Sequence, residues 1–240
     1  MNEAVFVGKT FTAPKERYSH FTDVVLHYVD ATRALRILDV GCGTGEQLFD
    51  LAKALPKANL TGVDVSAANI RVAERTRNHL ACGARITFVG RNYIDFQTDP
   101  FDIILSDSTL HNIAVSTATL FTKIAADLVP GGLLFTSMPY ACFYNHVLWA
   151  IRRLCRMVRG TYTDTMLLTM AKCLHHGQFS ESLLRQRLHY MYLLPQRYDS
   201  RALRSVLDAM YGLQTIASHA VAHTSVAQPK HRLIVSRKRE

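Results

Sequence analysis

The chain has 240 residues, 48% of them hydrophobic, with a net charge of +9 and a sequence pI near 9.5. The length suits one α/β domain with or without an insertion, and the apolar content supports a full core and excludes a disordered chain. The positive balance favours anionic partners, but part of it sits in Lys230-His231-Arg232 and Arg237-Lys238-Arg239, where a solvated end accounts for it.

Met1-Asn2-Glu3-Ala4-Val5 does not read as the start of a signal sequence. The most apolar window, Gly131 to Ile151, is broken by Pro139, Asn145 and His146, so no bilayer span is expected. The 5 cysteines, Cys42, Cys82, Cys142, Cys155 and Cys173, follow no regular spacing and read as reduced thiols, so a cytoplasmic protein is expected. His175-His176 with Cys173 lacks a further ligand at useful spacing, and no metal site is expected.

Tyr18 to Val29 predicts a short amphipathic helix and Leu35 to Val40 a first strand. Gly41-Cys42-Gly43-Thr44-Gly45 and Glu46 follow, then a helix from Gln47 to Leu55. A strand, a glycine loop and a helix N-terminus form a nucleotide-binding corner, because glycine lets the backbone turn tightly and approach a ligand. The dinucleotide fingerprint G-x-G-x-x-G is not met: the third glycine comes one residue early, and Glu46 stands where Gly or Ala belongs. Glu46 and Asp39 would repel a pyrophosphate, which argues against a nicotinamide oxidoreductase. A ligand with a cationic end and no phosphate fits both acids better.

The pattern continues with a strand at Asn59–Asp64, a helix from Ser66 to Leu80 capped by Ser66, and strands at Arg85–Gly90 and Phe101–Leu105. A helix over Thr117–Leu128 should stop at Val129-Pro130-Gly131-Gly132, with a fifth strand at Leu133–Ser137. Strands alternating with helices imply right-handed units and a parallel sheet. Asp64 ends its strand about 20 residues past the glycine loop, where nucleotide folds place a ribose-binding acid. A carboxylate there can accept from both ribose hydroxyls; capping the following helix is the other reading.

Leu38-Asp39-Val40-Gly41-Cys42-Gly43-Thr44-Gly45 resembles, residue for residue, the first motif of the class I S-adenosylmethionine-dependent methyltransferases. The resemblance covers Leu35 to Ser137 and, more loosely, a closing helix (Ser200–Met210) and two strands (Leu213–Ala222, Arg232–Ser236). It implies a Rossmann-like, doubly wound, mostly parallel seven-stranded sheet of order 3-2-1-4-5-7-6 with a C-terminal antiparallel hairpin. The segments become an N-terminal cap (1–34), a cofactor core (35–138), a helical lid insertion (139–199) and a C-terminal helix and hairpin (200–240) of one domain. S-adenosylmethionine is the implied cofactor, with Asp39, Gly41, Cys42, Gly43, Gly45, Asp64, Val65, Asn92, Tyr93 and Ser106 as its candidate contacts. In the third corner the family often has Gly-Asp; here the acid is replaced by Asn92 or moved to Asp95, and Asn92 is favoured, its oxygen able to accept from the adenine amino group, with the Tyr93 backbone N–H toward the ring. Ser106 stands where the family uses a backbone carbonyl toward the methionyl ammonium.

Ser106-Asp107-Ser108-Thr109-Leu110-His111-Asn112 lacks the Asp/Asn-Pro-Pro-Tyr/Phe signature of enzymes that methylate base amines, and resembles methyltransferases of small molecules. His111 is then a candidate base, since imidazole takes up protons near neutral pH; capping the next helix is the bland alternative. In the family, the N-terminal and post-fifth-strand pieces cover the substrate. Tyr18, Tyr140, Tyr144 and Arg152, with His111, are the candidate substrate residues. Over Val147–Arg159, Val147, Ile151, Leu154 and Val158 share one helical face, and Arg152, Arg153, Arg156 and Arg159 share the other with Trp149. The basic face suits an anionic substrate group, an acidic membrane or plain solvent. The expectation is in-line methyl transfer to O, N or C of a small metabolite. An RNA methyltransferase and a non-catalytic cofactor-binding module are the alternatives. Nucleic acid is not expected as a partner; peripheral membrane contact and a homodimer stay open.

Overall fold

The computed structural model describes residues 15–174, 180–221 and 228–240. They fall into two compact units, one within Met1–Tyr140, Gln196–Ala222 and His231–Glu240, the other within Ala141–Pro195 and His223–Lys230.

The first unit is built on a seven-stranded sheet of order β3-β2-β1-β4-β5-β7-β6. Its strands are β1 (Arg36–Val40), β2 (Asn59–Asp64), β3 (Ile86–Gly90), β4 (Phe101–Asp107), β5 (Leu128–Pro139), β6 (Leu213–Ala220) and β7 (His231–Lys238). β1 to β5 pair in parallel, while β7 pairs antiparallel with both β5 and β6. The sheet carries α1 (Lys15–Tyr28), α2 (Glu46–Ala54), α3 (Ala67–Asn78), α4 (Thr117–Asp127) and, nearer the C-terminus, α8 (Arg201–Tyr211).

Side chains alternate across the strands and so feed two cores. Ile37, Ile103 and Leu105 join Phe21, Val25, Leu48 and Leu51 in one; Leu38, Val40, Ile104 and Phe101 join Leu120, Phe121 and Leu207 in the other. Burial of both faces explains why the strands read as nearly unbroken apolar runs. Ser66 caps α3 by accepting from the Asn69 amide at 3.2 Å, and Ser200 caps α8 by accepting from the Leu203 amide at 3.1 Å.

Two local expectations are corrected. The turn expected at Val129-Pro130-Gly131-Gly132 is absorbed into β5, which starts at Leu128 directly after α4. Leu128 is fully buried and pairs with Phe101, and the surplus residues form an irregularity opposite Phe101/Ile103 with Gly131 at φ +74. The solvated end expected at Lys230-His231-Arg232 is instead the start of β7, and His231 is buried.

The second unit contains α5 (Phe143–Met157), α6 (Thr161–Leu174), α7 (Glu181–Arg187) and a 3-10 turn at Leu188–Tyr192. The Tyr192 hydroxyl donates to Asp164 on α6, and the Arg159 guanidinium lies 4.6 Å from the centre of the Tyr192 ring. Among the described residues no helix is long and apolar enough to cross a membrane. His175-His176 lies outside the described residues.

Candidate active site

The glycine loop leaves the end of β1 and is folded onto the end of β2. The amides of Gly41 and Cys42 donate to the Val63 carbonyl at 2.7 and 3.2 Å, the Gly43 amide to Asp64 Oδ2 at 2.9 Å, and the Gly45 amide to the Cys42 carbonyl at 3.0 Å. Gly41, Gly43 and Gly45 have φ of +81, +55 and +87, the left-handed region open to glycine. All four amides are thus taken up by the chain's own oxygens, unlike a phosphate-binding loop whose amides point at the ligand.

Carboxylates surround this loop instead. Asp39 is almost fully buried; burial, then Asp107 and Asp64, push its pKa up to about 8. Asp64 accepts from the Gly43 amide, from the Ser66 amide at 2.7 Å and from the Asn69 amide group at 3.4 Å, and burial outweighs these bonds to raise its pKa. It therefore pins the glycine loop to β2 and holds the bend before α3, whose cap is Ser66. Crowded carboxyls of this kind favour a cationic group among them. An ammonium and a sulfonium beside a ribose fit this donor set; a pyrophosphate does not.

Other expected contacts are placed as follows. Cys42 is buried with its sulfur toward β2, where a Cβ on Gly62 would meet it, and burial and Asp39 raise its pKa, so its thiol packs and only its backbone faces the loop. Val65 follows Asp64 in the bend before α3. Asn92 Oδ1 accepts from the Ile94 amide at 3.0 Å, capping the turn Tyr93–Asp95. The Tyr93 side chain is turned away into the core, its hydroxyl donating to Asp127 at 2.8 Å. Ser106 is fully buried, and its hydroxyl donates to the Val40 carbonyl at 3.0 Å, tying β4 to β1 beside the loop.

His111 sits in a 3-10 turn, Leu110–Asn112, just after β4, and is 7% exposed. Its ring lies 5.4 Å from that of His231 at the start of β7, and its carbonyl accepts from the Gln196 amide at 2.8 Å. Arg197, buried, grips the same loop: its guanidinium donates to the carbonyls of Leu110 and Val115, and to that of Ile113 at 3.1 Å. Burial lowers the Arg197 pKa. Asp107, Thr109, Arg197 and His231 were missed from the sequence. Arg197 and His231 lie in stretches without a motif, and their proximity to the loop exists only in the folded chain.

Of the expected substrate residues, Tyr18 lies half-buried on α1. Tyr140 follows β5, with the Arg232 guanidinium 4.4 Å from its ring centre. In the second unit the Lys230 ammonium lies 5.1 Å from the centre of the Tyr144 ring. Arg152 turns inward, donating to the Leu193 carbonyl at 3.2 Å, with burial lowering its pKa to about 10, so it stays cationic at neutral pH. The expected basic face of four arginines is therefore three exposed arginines and one internal one. Among the described residues no group of three or more His, Cys, Asp or Glu side chains could hold a metal ion.

The sheet order, the glycine loop and the acids at the ends of β1 and β2 define a class I S-adenosylmethionine-dependent methyltransferase fold. The family model described as "Methyltransferase domain" matches residues 31–193, and the chain belongs to that family. Malonyl-[acyl-carrier protein] O-methyltransferase of Bacillus cereus is 30% identical over 132 residues, 54% of this chain and 43% of that protein. Methyltransferase phqN of Penicillium fellutanum is 29% identical over 118 residues, 48% of this chain and 34% of that protein. The chain thus spans less than half the length of these curated relatives. Among solved structures, N-methyltransferase NodS of Bradyrhizobium japonicum in complex with S-adenosyl-L-homocysteine superposes with a TM-score of 0.58 at 16% identity, covering 94% of this chain and 87% of that one.

Proposed function

We propose that the chain binds S-adenosylmethionine and transfers its methyl group in line to an oxygen, nitrogen or carbon of a small-molecule metabolite. The observation that carries this reading is the cluster of Asp39, buried, with Asp64 and Asp107, both half-buried, beside a glycine loop of which four amides are already bonded. When bound, the cofactor supplies a methyl made electrophilic by its sulfonium. Asp39 and Asp107 hold its cationic end, Asp64 accepts from its ribose, Asn92 and the Tyr93 amide meet its adenine, and the glycines let the backbone approach it. His111 would take up the proton that the acceptor loses when it is methylated. Orientation of donor and acceptor supplies much of the rate.

The activities of the relatives, O-methylation of a malonyl-[acyl-carrier protein] and, for NodS, N-methylation, support a small acceptor rather than nucleic acid. Tyr18, Tyr140, Tyr144 and Arg152 are acceptor-side residues on family resemblance alone. A cytoplasmic site of action belongs to the same proposal; the free thiols of all 5 cysteines support it.

Calorimetry with S-adenosylhomocysteine and NAD, followed by a methyl-release assay over small acids, amines and phenols, tests the reading. Binding of the sulfur ligand and not NAD, with turnover of a small acceptor, is the expected result. Binding without turnover of any acceptor would leave a binding module. Turnover of RNA alone, with binding that falls steeply with salt, would move the substrate to nucleic acid.

A further inference from the structure

An amphipathic helix normally buries its apolar stripe. In α5 the opposite is found. Phe143, Val147, Ile151, Leu154 and Val158 recur at helical spacing from the start of α5 to its C-cap, and all are exposed, from 41% at Val147 to 84% at Phe143. The inward side is formed by Asn145, Leu148 and Arg152. α6 adds a second exposed stripe, Tyr162, Met166 and Met170, again one helical turn apart. An open apolar groove of about 550 Å³, lined by Leu154 and Val158 of one stripe and Tyr162 and Met166 of the other, joins them. Of the 13 large hydrophobics exposed among the described residues, nine lie on this hairpin, so the patch is not the usual scatter of single surface side chains.

The charge beside the patch names its occupant. Between Phe143 and Leu174 the sequence has five basic residues and one acid. The acid, Asp164, is engaged by Tyr192, whereas Arg153, Arg156 and Arg159 are exposed. Anionic headgroups would meet them while acyl chains take the apolar stripes, as amphipathic helices lying in a membrane interface do. We propose that the α5–α6 hairpin docks the protein on an anionic lipid bilayer, with its apolar stripes in the interface and Arg153, Arg156 and Arg159 at headgroup level.

Co-sedimentation of the full chain with vesicles of phosphatidylcholine alone, and of phosphatidylcholine with phosphatidylserine, tests this. The protein should sediment with the anionic vesicles, less so as salt rises, and weakly with the neutral ones. Leu154→Ser with Met157→Ser, and separately Arg153→Glu with Arg156→Glu, should each cut that binding about tenfold or more. All four positions are exposed, and unchanged circular dichroism would show that the fold is kept. Wild-type protein that stays in the supernatant, or binding that both double variants retain, would overturn the proposal. So would a two-chain mass by light scattering without lipid that Leu154→Ser with Met157→Ser returns to one chain, since that assigns the face to a second copy.

Discussion

Thr109 occupies the space that a side chain on Gly41 would need: a Cβ there would overlap its Oγ1, Cγ2 and Cβ. The first glycine of the loop after β1 and the loop after β4 are thus packed against each other without a gap. Next to the contact, Ser108 has φ +58, the only non-glycine residue in the left-handed region among those described. The segment that carries His111 is placed by the glycine loop as well as by its own strand.

Gly41→Ala should therefore act twice, through the clash with Thr109 and through φ +81, which costs an L-residue about 1–2 kcal/mol. The melting temperature should fall and S-adenosylhomocysteine affinity should drop in calorimetry. Adding Thr109→Ala should recover the part due to the clash and leave the part due to the backbone.

Asp39 should couple cofactor binding to proton release. Its folded pKa is raised to about 8 from an ordinary 3.8, so the folded apo protein holds the proton more tightly than the unfolded chain. The stability this confers is complete below about pH 4 and is lost as pH rises through about 8, at up to roughly 1.4 kcal/mol per pH unit. Asp39→Asn should flatten that decline, so the variant should melt above wild type at pH 8–9 yet bind the cofactor less tightly. A cationic ligand lowers the Asp39 pKa. Wild-type binding near neutral pH should then release up to one proton, read as a dependence of the calorimetric heat on buffer ionisation enthalpy. Equal heats in all buffers would refute the coupling.

His111→Ala should lower turnover by about 10²–10⁴-fold with cofactor affinity intact, the range of general acid–base catalysis. The wild-type rate should fall as pH drops through the imidazole range, and the variant should lose that dependence. Near-wild-type turnover in His111→Gln would show that the side chain only positions the acceptor.

Arg197 should behave as a positioning residue. Arg197→Met takes the guanidinium from the buried carbonyl of Leu110 and from the half-buried carbonyls of Ile113 and Val115, of which Ile113 keeps the Val115 amide. An orphaned buried acceptor costs about 1–3 kcal/mol, and the variant should melt lower. Its kcat should fall more than its cofactor affinity, because Asp39, Gly43 and Asp64 are held by other bonds. Arg197→Lys, which keeps the charge but not the fork, should recover only part of kcat.

The cofactor half of the site was legible in the sequence because it is local. Leu38 to Gly45 carries the strand, the acid and the glycines in one run, and Asp64 closes the next strand at a fixed distance. Apolar runs between turn and helix signals placed the strands, and the family resemblance supplied their order. The rest depends on contacts between residues far apart in the chain. Arg197 reaches the His111 loop across 84 residues at Ile113, and His231 comes to His111 only because β7 runs antiparallel to β5. The α5 pattern showed that the helix has an apolar and a basic face. A pattern on one helix carries no information on which face meets the rest of its own unit. The tertiary structure turned Asn145, Leu148 and Arg152 inward and left the apolar stripe outside.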